Sequence, residues 1–280
     1  MKKACLILLL LVCAHLEAQH WLGVSVDAGL SWQPDRMAVT TAKTGGGAGL
    51  GFRYQLQAGY FIVETGLGAA YTKNLVGLSD TVLRFSMRDD HERTFTYIGR
   101  LHNRTDMSRS LSLNLPLLVG GEYGAFYGMA GVTASLKVLS RTQQTAQLAT
   151  SGEYKMYYEE LTNMPGHGFH DYETVESRGK MSCQMDLRVT AETGAVFYSA
   201  DDCHKFRIGL YVAYGLFDAR QFDTGPLLVP DLTAGMQVGM NHVYTTGFDA
   251  TSAVHNLLCG VRFTMFVNVS AGPSNRYGRY

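Results

Sequence analysis

The sequence predicts an all-β fold: an eight-stranded antiparallel transmembrane β-barrel with short periplasmic turns and long extracellular loops. Three observations carry the expectation. Segments of two-residue alternation recur along the chain, the connections between them alternate between long and short, and aromatic residues gather at both ends of the apolar parity.

The N-terminus, MKKACLILLLLVCAHLEAQ, has two lysines, an apolar stretch from Ala4 to Ala14 and a small residue at Ala18. That is the layout of a secretory signal peptide, and the stretch is too short to span a bilayer as a helix. Residues 1–18 are read as the signal, 19–270 as the barrel and 271–280 as a polar C-terminal tail; cleavage after Ala14 is the alternative. Val12 stands before Cys13, where a lipoprotein signal has a small residue.

Removal of the signal takes Cys5 and Cys13 and leaves Cys183, Cys203 and Cys259, an odd number at wide spacing and no disulfide framework. An oxidising compartment would allow one pair among the three to form, and nothing in the sequence selects it. Formal net charge is zero, so no basic surface for nucleic acid is expected.

The first strand, HWLGVSVDAGLSWQ (20–33), sets the pattern. Leu22, Val24, Val26, Ala28, Leu30 and Trp32 share one parity, and Gly23, Ser25, Asp27, Gly29 and Ser31 the other. Successive side chains of a strand point to opposite faces, so one face is greasy and one small or polar. Further alternating segments lie at 46–56, 59–72, 109–121, 125–138, 183–198, 204–217 and 254–269. Long segments at 34–45, 73–108, 139–182 and 218–253 alternate with the tight reversals QLQAG, GGEYGA and SADDCH. All short turns therefore lie at one end, the periplasmic end of such a barrel.

Phe61, Tyr123, Phe126, Phe197 and Phe206 hold the apolar parity beside the short turns, and Trp32 and Tyr71 hold it at the opposite end. Two aromatic belts around an aliphatic band suit the two interfaces of a lipid-facing wall. The other parity carries Asp27, Arg53, Glu64, Asn114, Lys137, Asp186, Arg188, Glu192, Arg207 and Arg262. Charges of both signs need partners when removed from water, so this face is expected to line a filled polar lumen. A first long loop centred near residue 39 or 40 would set Arg53 almost opposite Asp27, with Arg262 at a similar height.

The chain resembles the PorT-like outer-membrane β-barrel domain, small barrels related in architecture to the outer-membrane protein A type. The resemblance rests on the signal ending LEAQ, on HWLGVSVDAGLSWQ, on GGGAGLGFRYQL followed by YFIVETGLGAAYT, and on SLSLNLPLLVGGEYG with its proline-leucine pair. It covers nearly the whole mature chain and implies a component of a transport or protein-secretion assembly. Barrels of this kind often end on an aromatic residue; here VRFTMFVNVS is followed by AGPSNRYGRY, leaving Phe266 and Tyr280 as the two candidates.

HGFHDYE (167–173) brings His167, His170, Asp171 and Glu173 together, types that suit divalent metals, but in a long loop beside MPG rather than on a helix; it reads as solvated loop. His255 is the histidine best placed for hydrolysis, but Asn256 and Leu257 beside it offer no serine, and Ser252 lies in the loop. The charge-rich segment 88–109 reads as a solubilising loop, and YKMYYEEL (154–161) as loop contact or loop filler alike. GGGAGLG lacks the Lys-Ser/Thr ending and helix of a phosphate loop. Cys259 falls on the lipid-facing parity.

The expected role is a structural or interaction barrel in the outer membrane of a Gram-negative-type cell, with a plugged polar lumen and partner-binding outer loops. No enzymatic activity, cofactor, metal or nucleic-acid partner is expected; outer-membrane lipid and an envelope protein partner are. A PorT-like transport component, a narrow porin and, last, a lipid-modifying enzyme are the alternatives.

Overall fold

The computed structural model describes residues 18–33, 40–89, 91–156, 159–200, 203–220, 225–231, 237–246 and 253–270. Residues 1–17 of the predicted signal peptide, the 271–280 tail, Ser252 and Tyr280 lie outside the described residues. In chain order the strands are β1 (Gln19–Trp32), β2 (Thr40–Ala58), β3 (Phe61–Leu78), β4 (Thr81–Arg88), β5 (Thr94–Tyr123), β6 (Phe126–Tyr154), β7 (Glu159–Thr162), β8 (Glu173–Lys180), β9 (Gln184–Tyr198), β10 (His204–Gly215), β11 (Leu228–Asp231), β12 (Gln237–Met240) and β13 (Leu257–Asn268).

Eight of them form a closed antiparallel ring in the order β1, β2, β3, β5, β6, β9, β10, β13, and β13 pairs back onto β1. Two of the reversals are two-residue hairpins, between Ala58 and Phe61 and between Tyr123 and Phe126. Each has glycine at its first central position, Gly59 at φ 61° and Gly124 at φ 59°. A side chain there would be strained, and this placement matches the twist of paired strands.

Around the ring the aliphatic parity points out and stays uncovered: Leu50 is 58% exposed, Leu67 57% and Leu210 65%. The polar parity points in, where Gln55 and Glu64 are fully buried. A continuous apolar belt is too large for a protein wall facing water and fits one facing lipid. Phe61 and Tyr71, ten residues apart on β3, mark the ends of the belt on that strand. At ~3.3 Å per residue and a tilt of ~40° they are separated by about 25 Å, the height of a membrane-spanning apolar band.

The long connections differ from expectation. Segments 73–108 and 139–182 are mostly strand: β5 runs 30 residues and β6 29 without a break, and β4, β7 and β8 pair onto their upper halves. Above the belt the polarity of the faces inverts. Val76, Leu78, Leu101, Ala146 and Leu148 point inward and are buried, while Gln143 and Thr145 point outward. An alternation with apolar-out polarity therefore stops being visible there although the strands continue.

The fourth long segment folds over this sheet extension. Leu227, Leu228, Met240, Val243, Tyr244 and Val254 pack against those inward residues as a second core, beyond the lumen clusters. A smaller cluster of Phe95, Tyr97 and Phe169 closes the top. The far end is thus a folded cap, not a set of free loops.

Candidate functional site

Inside the wall the charged residues form two clusters. Nearer the short turns, the Arg207 guanidinium is ion-paired with Glu64, donates to Gln55 Oε1 at 3.3 Å and lies over the rings of Tyr127 and Phe266 at 4.6 and 4.7 Å. Arg53 meets the other Glu64 oxygen at 3.6 Å and donates from Nε to Ser25 Oγ at 3.1 Å. One carboxylate therefore serves two guanidinium groups. Higher up, Arg262 is ion-paired with Glu192 and lies 3.5 Å from Asp27 Oδ1, over the Tyr211 ring at 4.6 Å. Tyr127 donates its hydroxyl to Glu192 at 2.8 Å and links the two clusters.

Asp186 and Arg188, 3.1 Å apart, sit in a separate group towards the cap. Lys137 donates to Gln184 there at 3.1 Å, and Gln33 to Asn256 at 2.9 Å. All nine charged residues on the inward parity thus face the interior, and Asn114 lines it with them.

The register expected between Arg53 and Asp27 is not the one found. Asp27 pairs across β2 with Gly49 and across β13 with Arg262, while Arg53 pairs with Gly23 and turns to Glu64. Gly49 leaves room for the Asp27 carboxylate: a Cβ there would stand 2.7 Å from Asp27 Oδ2.

Gly209 makes similar room for the link between clusters, since a Cβ there would meet Tyr127 Oη at 2.1 Å and Thr193 O at 2.8 Å. Gly209→Val is expected to push Tyr127 off Glu192 and cost about 1–3 kcal/mol, read as a lower urea midpoint in micelles. An unchanged midpoint would mean that the wall shifts freely around the added side chain.

Parity also held residues that reading for charge pairs passed over. Trp21 shares the polar parity of β1 and is buried, with the Lys205 ammonium 4.6 Å from its ring centroid. Lys205 in turn donates to Gln57 at 3.0 Å and to Glu122 at 3.3 Å, plugging the short-turn end. Ile62, Leu118, Tyr127, Met129 and Val196 add an apolar layer inside the wall. Phe266 faces this interior, not lipid, because it shares the parity of Arg262 and Thr264. Between the clusters a cavity of about 60 Å³ remains, lined by Asp27, Arg53, Asn114, Arg188, Tyr211 and Arg262 among others.

Of the expected belt residues, Phe61, Tyr71, Tyr123, Phe126 and Phe197 are exposed outward. Trp32 and Phe206 are half-buried on the same face, Phe206 against Phe263. No disulfide joins Cys183, Cys203 and Cys259.

The cap is held by a buried clasp. Asp106 accepts from Arg104 Nε at 2.7 Å and Nη2 at 2.8 Å, and from the Val243 amide at 2.8 Å, while Arg104 also donates to Asn241 O. At the foot of the same segment Asp218 accepts from Arg220 at 2.8 Å and from the Val254 amide at 3.1 Å. Burial raises the Asp218 pKa, but these hydrogen bonds outweigh it and hold the carboxyl below its ordinary range.

Buried His242 accepts the Tyr244 amide, and burial, reinforced by Arg104 and opposed by Asp106, holds its imidazole below the ordinary 6.5. The closed cap therefore resists a proton that an opened one takes, so closure weakens as pH falls below about 6.5. Amide exchange at Val243 and Tyr244, corrected for intrinsic rates, should quicken between about pH 7.5 and about pH 5.5. His242→Gln should abolish that change; a variant that keeps it would assign the effect to another group.

Segment 167–173 is largely exposed, as a solvated loop would be, apart from Gly168 and Phe169. Phe169 is inserted in the cap, and the described residues contain no cluster of three or more metal-ligating groups. Tyr154 stacks on Phe95 at 5.0 Å, the filler role of the two weighed for it, while Tyr157 and Tyr158 lie outside the described residues. His255 contacts Gly215 O at 3.1 Å and the Tyr214 ring.

Neither the family models nor the curated proteins compared with the chain give a match. Among solved structures it is similar to Ail, the attachment invasion locus protein of Yersinia pestis, crystallised in complex with the heparin analogue sucrose octasulfate. Identity is 8%, the alignment covers 88% of this chain and 99% of that one, and the TM-score is 0.25. It is also similar to OpdQ of Pseudomonas aeruginosa, at 8% identity, 89% and 98% coverage and a TM-score of 0.14.

Proposed function

We propose that the protein is a non-enzymatic interaction barrel of the outer membrane, with its short turns in the periplasm and its cap presented outside the cell as the binding surface. The observation that carries this reading is where the space lies. The cavity between the lumen clusters holds about 60 Å³, while the cap has clefts of about 520, 380 and 310 Å³. The latter are of the size that takes a small ligand or an anchoring side chain. A concavity of about 780 Å³ along Ala28, Leu30, Leu210, Val212, Cys259 and Val261 lies on the apolar outside of the wall, where lipid chains are its natural filling.

Stacked ion pairs and an apolar layer favour an anchoring wall over a conduit. The resemblance to PorT-like barrels supports a second form of the same reading, in which the partner at the cap is a component of a transport or secretion assembly.

The test is made on the outer-membrane fraction. Extraction in mild detergent, then a denaturing gel with and without boiling, should give a mobility shift, and planar bilayers holding the purified barrel should stay silent. A soluble protein with no shift would overturn the membrane reading; steady conductance would replace the anchor with a narrow porin. Crosslinking from the cap in whole cells distinguishes an envelope protein partner from a small ligand.

A further inference from the structure

One row of the sheet carries an unusual set of side chains. Lys73 of β3 pairs with Arg109 of β5, Arg109 with Arg141 of β6, and Arg141 with Lys180 of β8. Directly paired residues of antiparallel strands point to the same face, so four cations stand side by side across four adjacent strands. At ~4.8 Å per strand the row is about 14 Å long. It lies on the outward face: Arg109, Arg141 and Lys180 are exposed and Lys73 half-exposed.

Its height is as informative as its charge. The neighbouring outward positions one step toward the short turns are Tyr71, Leu111 and Leu139, all exposed and apolar. On each of those three strands the cation is thus the first outward residue beyond the lipid-facing band. One step the other way stand Leu75, Met107, Gln143 and Arg178, with no acid among them. On this face of β8, Glu176 lies by Arg178 at 3.9 Å. Like charges set directly opposite one another on a sheet are destabilising, and no acidic side chain of the described residues relieves these four.

We propose that this row holds phosphate-bearing headgroups of the outer leaflet, an anionic lipid belt on one side of the barrel. The inference rests on the membrane reading above and adds to it a lipid class and a place. Phosphate oxygens supply the missing countercharge, and long Lys and Arg stems lie along apolar wall while their heads reach the headgroup layer. Arg109 and Arg141 are exposed and follow directly on the apolar Leu111 and Leu139, whereas Lys180 is the last residue of β8 with no apolar band beneath it, so the two arginines carry most of the contact and Lys180 least.

The experiment uses the purified full chain in neutral detergent micelles containing equal phosphatidylglycerol and phosphatidylcholine, with bound lipid counted by native mass spectrometry. The wild-type chain should retain phosphatidylglycerol preferentially. Arg109→Gln or Arg141→Gln should weaken that preference roughly fivefold each, Lys180→Gln less, and the combined K73Q/R109Q/R141Q/K180Q variant should abolish it. Arg88→Gln, in the cap, should leave it unchanged.

The gel shift on boiling reads folding of every variant and tests the membrane reading separately; the single variants decide the matter if the combined one does not fold. A shifted, folded combined variant with wild-type lipid preference overturns the row while leaving the barrel intact. Displacement of the lipid by inorganic phosphate alone, or binding of a soluble heparin fragment at the row in place of lipid, also overturns it by assigning the cations to a soluble anion.

Discussion

Glu64→Leu is expected to destabilise the barrel by about 3–5 kcal/mol, because it strands two guanidinium groups inside the wall. Glu64 is fully buried, and the Arg207 and Arg53 side chains that it neutralises are 0% and 8% exposed. Arg207 has no exposed surface, and Arg53 touches only the small cavity between the clusters. Urea unfolding in micelles, followed by tryptophan fluorescence, should show the loss, and the boiled and unboiled forms should converge on gels at a lower temperature. The double variant Glu64→Leu/Arg207→Met should recover much of it, since removing both members of a buried pair is far less costly than removing one. A Glu64→Leu barrel as stable as the wild type would show that the lumen is wet enough to solvate the arginines.

Asp106→Ala is expected to open the cap and leave the ring intact. The carboxylate is fully buried, it accepts two hydrogen bonds from Arg104 and it receives the Val243 amide from the fourth long segment. Its loss leaves Arg104, 1% exposed, with a single remaining carbonyl partner. A penalty of about 3 kcal/mol confined to the cap raises the open population on the order of a hundredfold. Limited proteolysis within 218–256 should accelerate by that factor, while the gel shift of the barrel stays as it was. Equal cleavage rates would mean that the apolar cluster around Leu228 and Tyr244, rather than the clasp, holds the segment down.

The two predictions draw on different kinds of information. The Glu64 cluster was nearly legible in the chain, because inward parity in β2, β3 and β10 names Arg53, Glu64 and Arg207 directly. The Asp106 clasp was not. It lies in a segment that reads as a charged loop, on strands whose polarity is inverted, and its partner Val243 is 137 residues away. Asn103 adds to the difficulty: at φ 49°, within a register shift between His102 and Thr105, it switches the parity of β5. Leu101 and Tyr97 then face the same side as Arg104 and Asp106. No period-2 reading crosses such a bulge without knowing that it is there.

Alternation, turn chemistry and loop length are local properties, and by themselves they determined the ring of eight strands, the end at which the short turns lie and the side on which the charges sit. Which charge meets which was decided only by the tertiary structure. A strand's faces follow from its own sequence, but register depends on the space opposite each side chain, as Gly49 shows for Asp27. The cap was decided there too, since its apolar side chains have a core to enter only once strands far apart in sequence stand side by side above the membrane band.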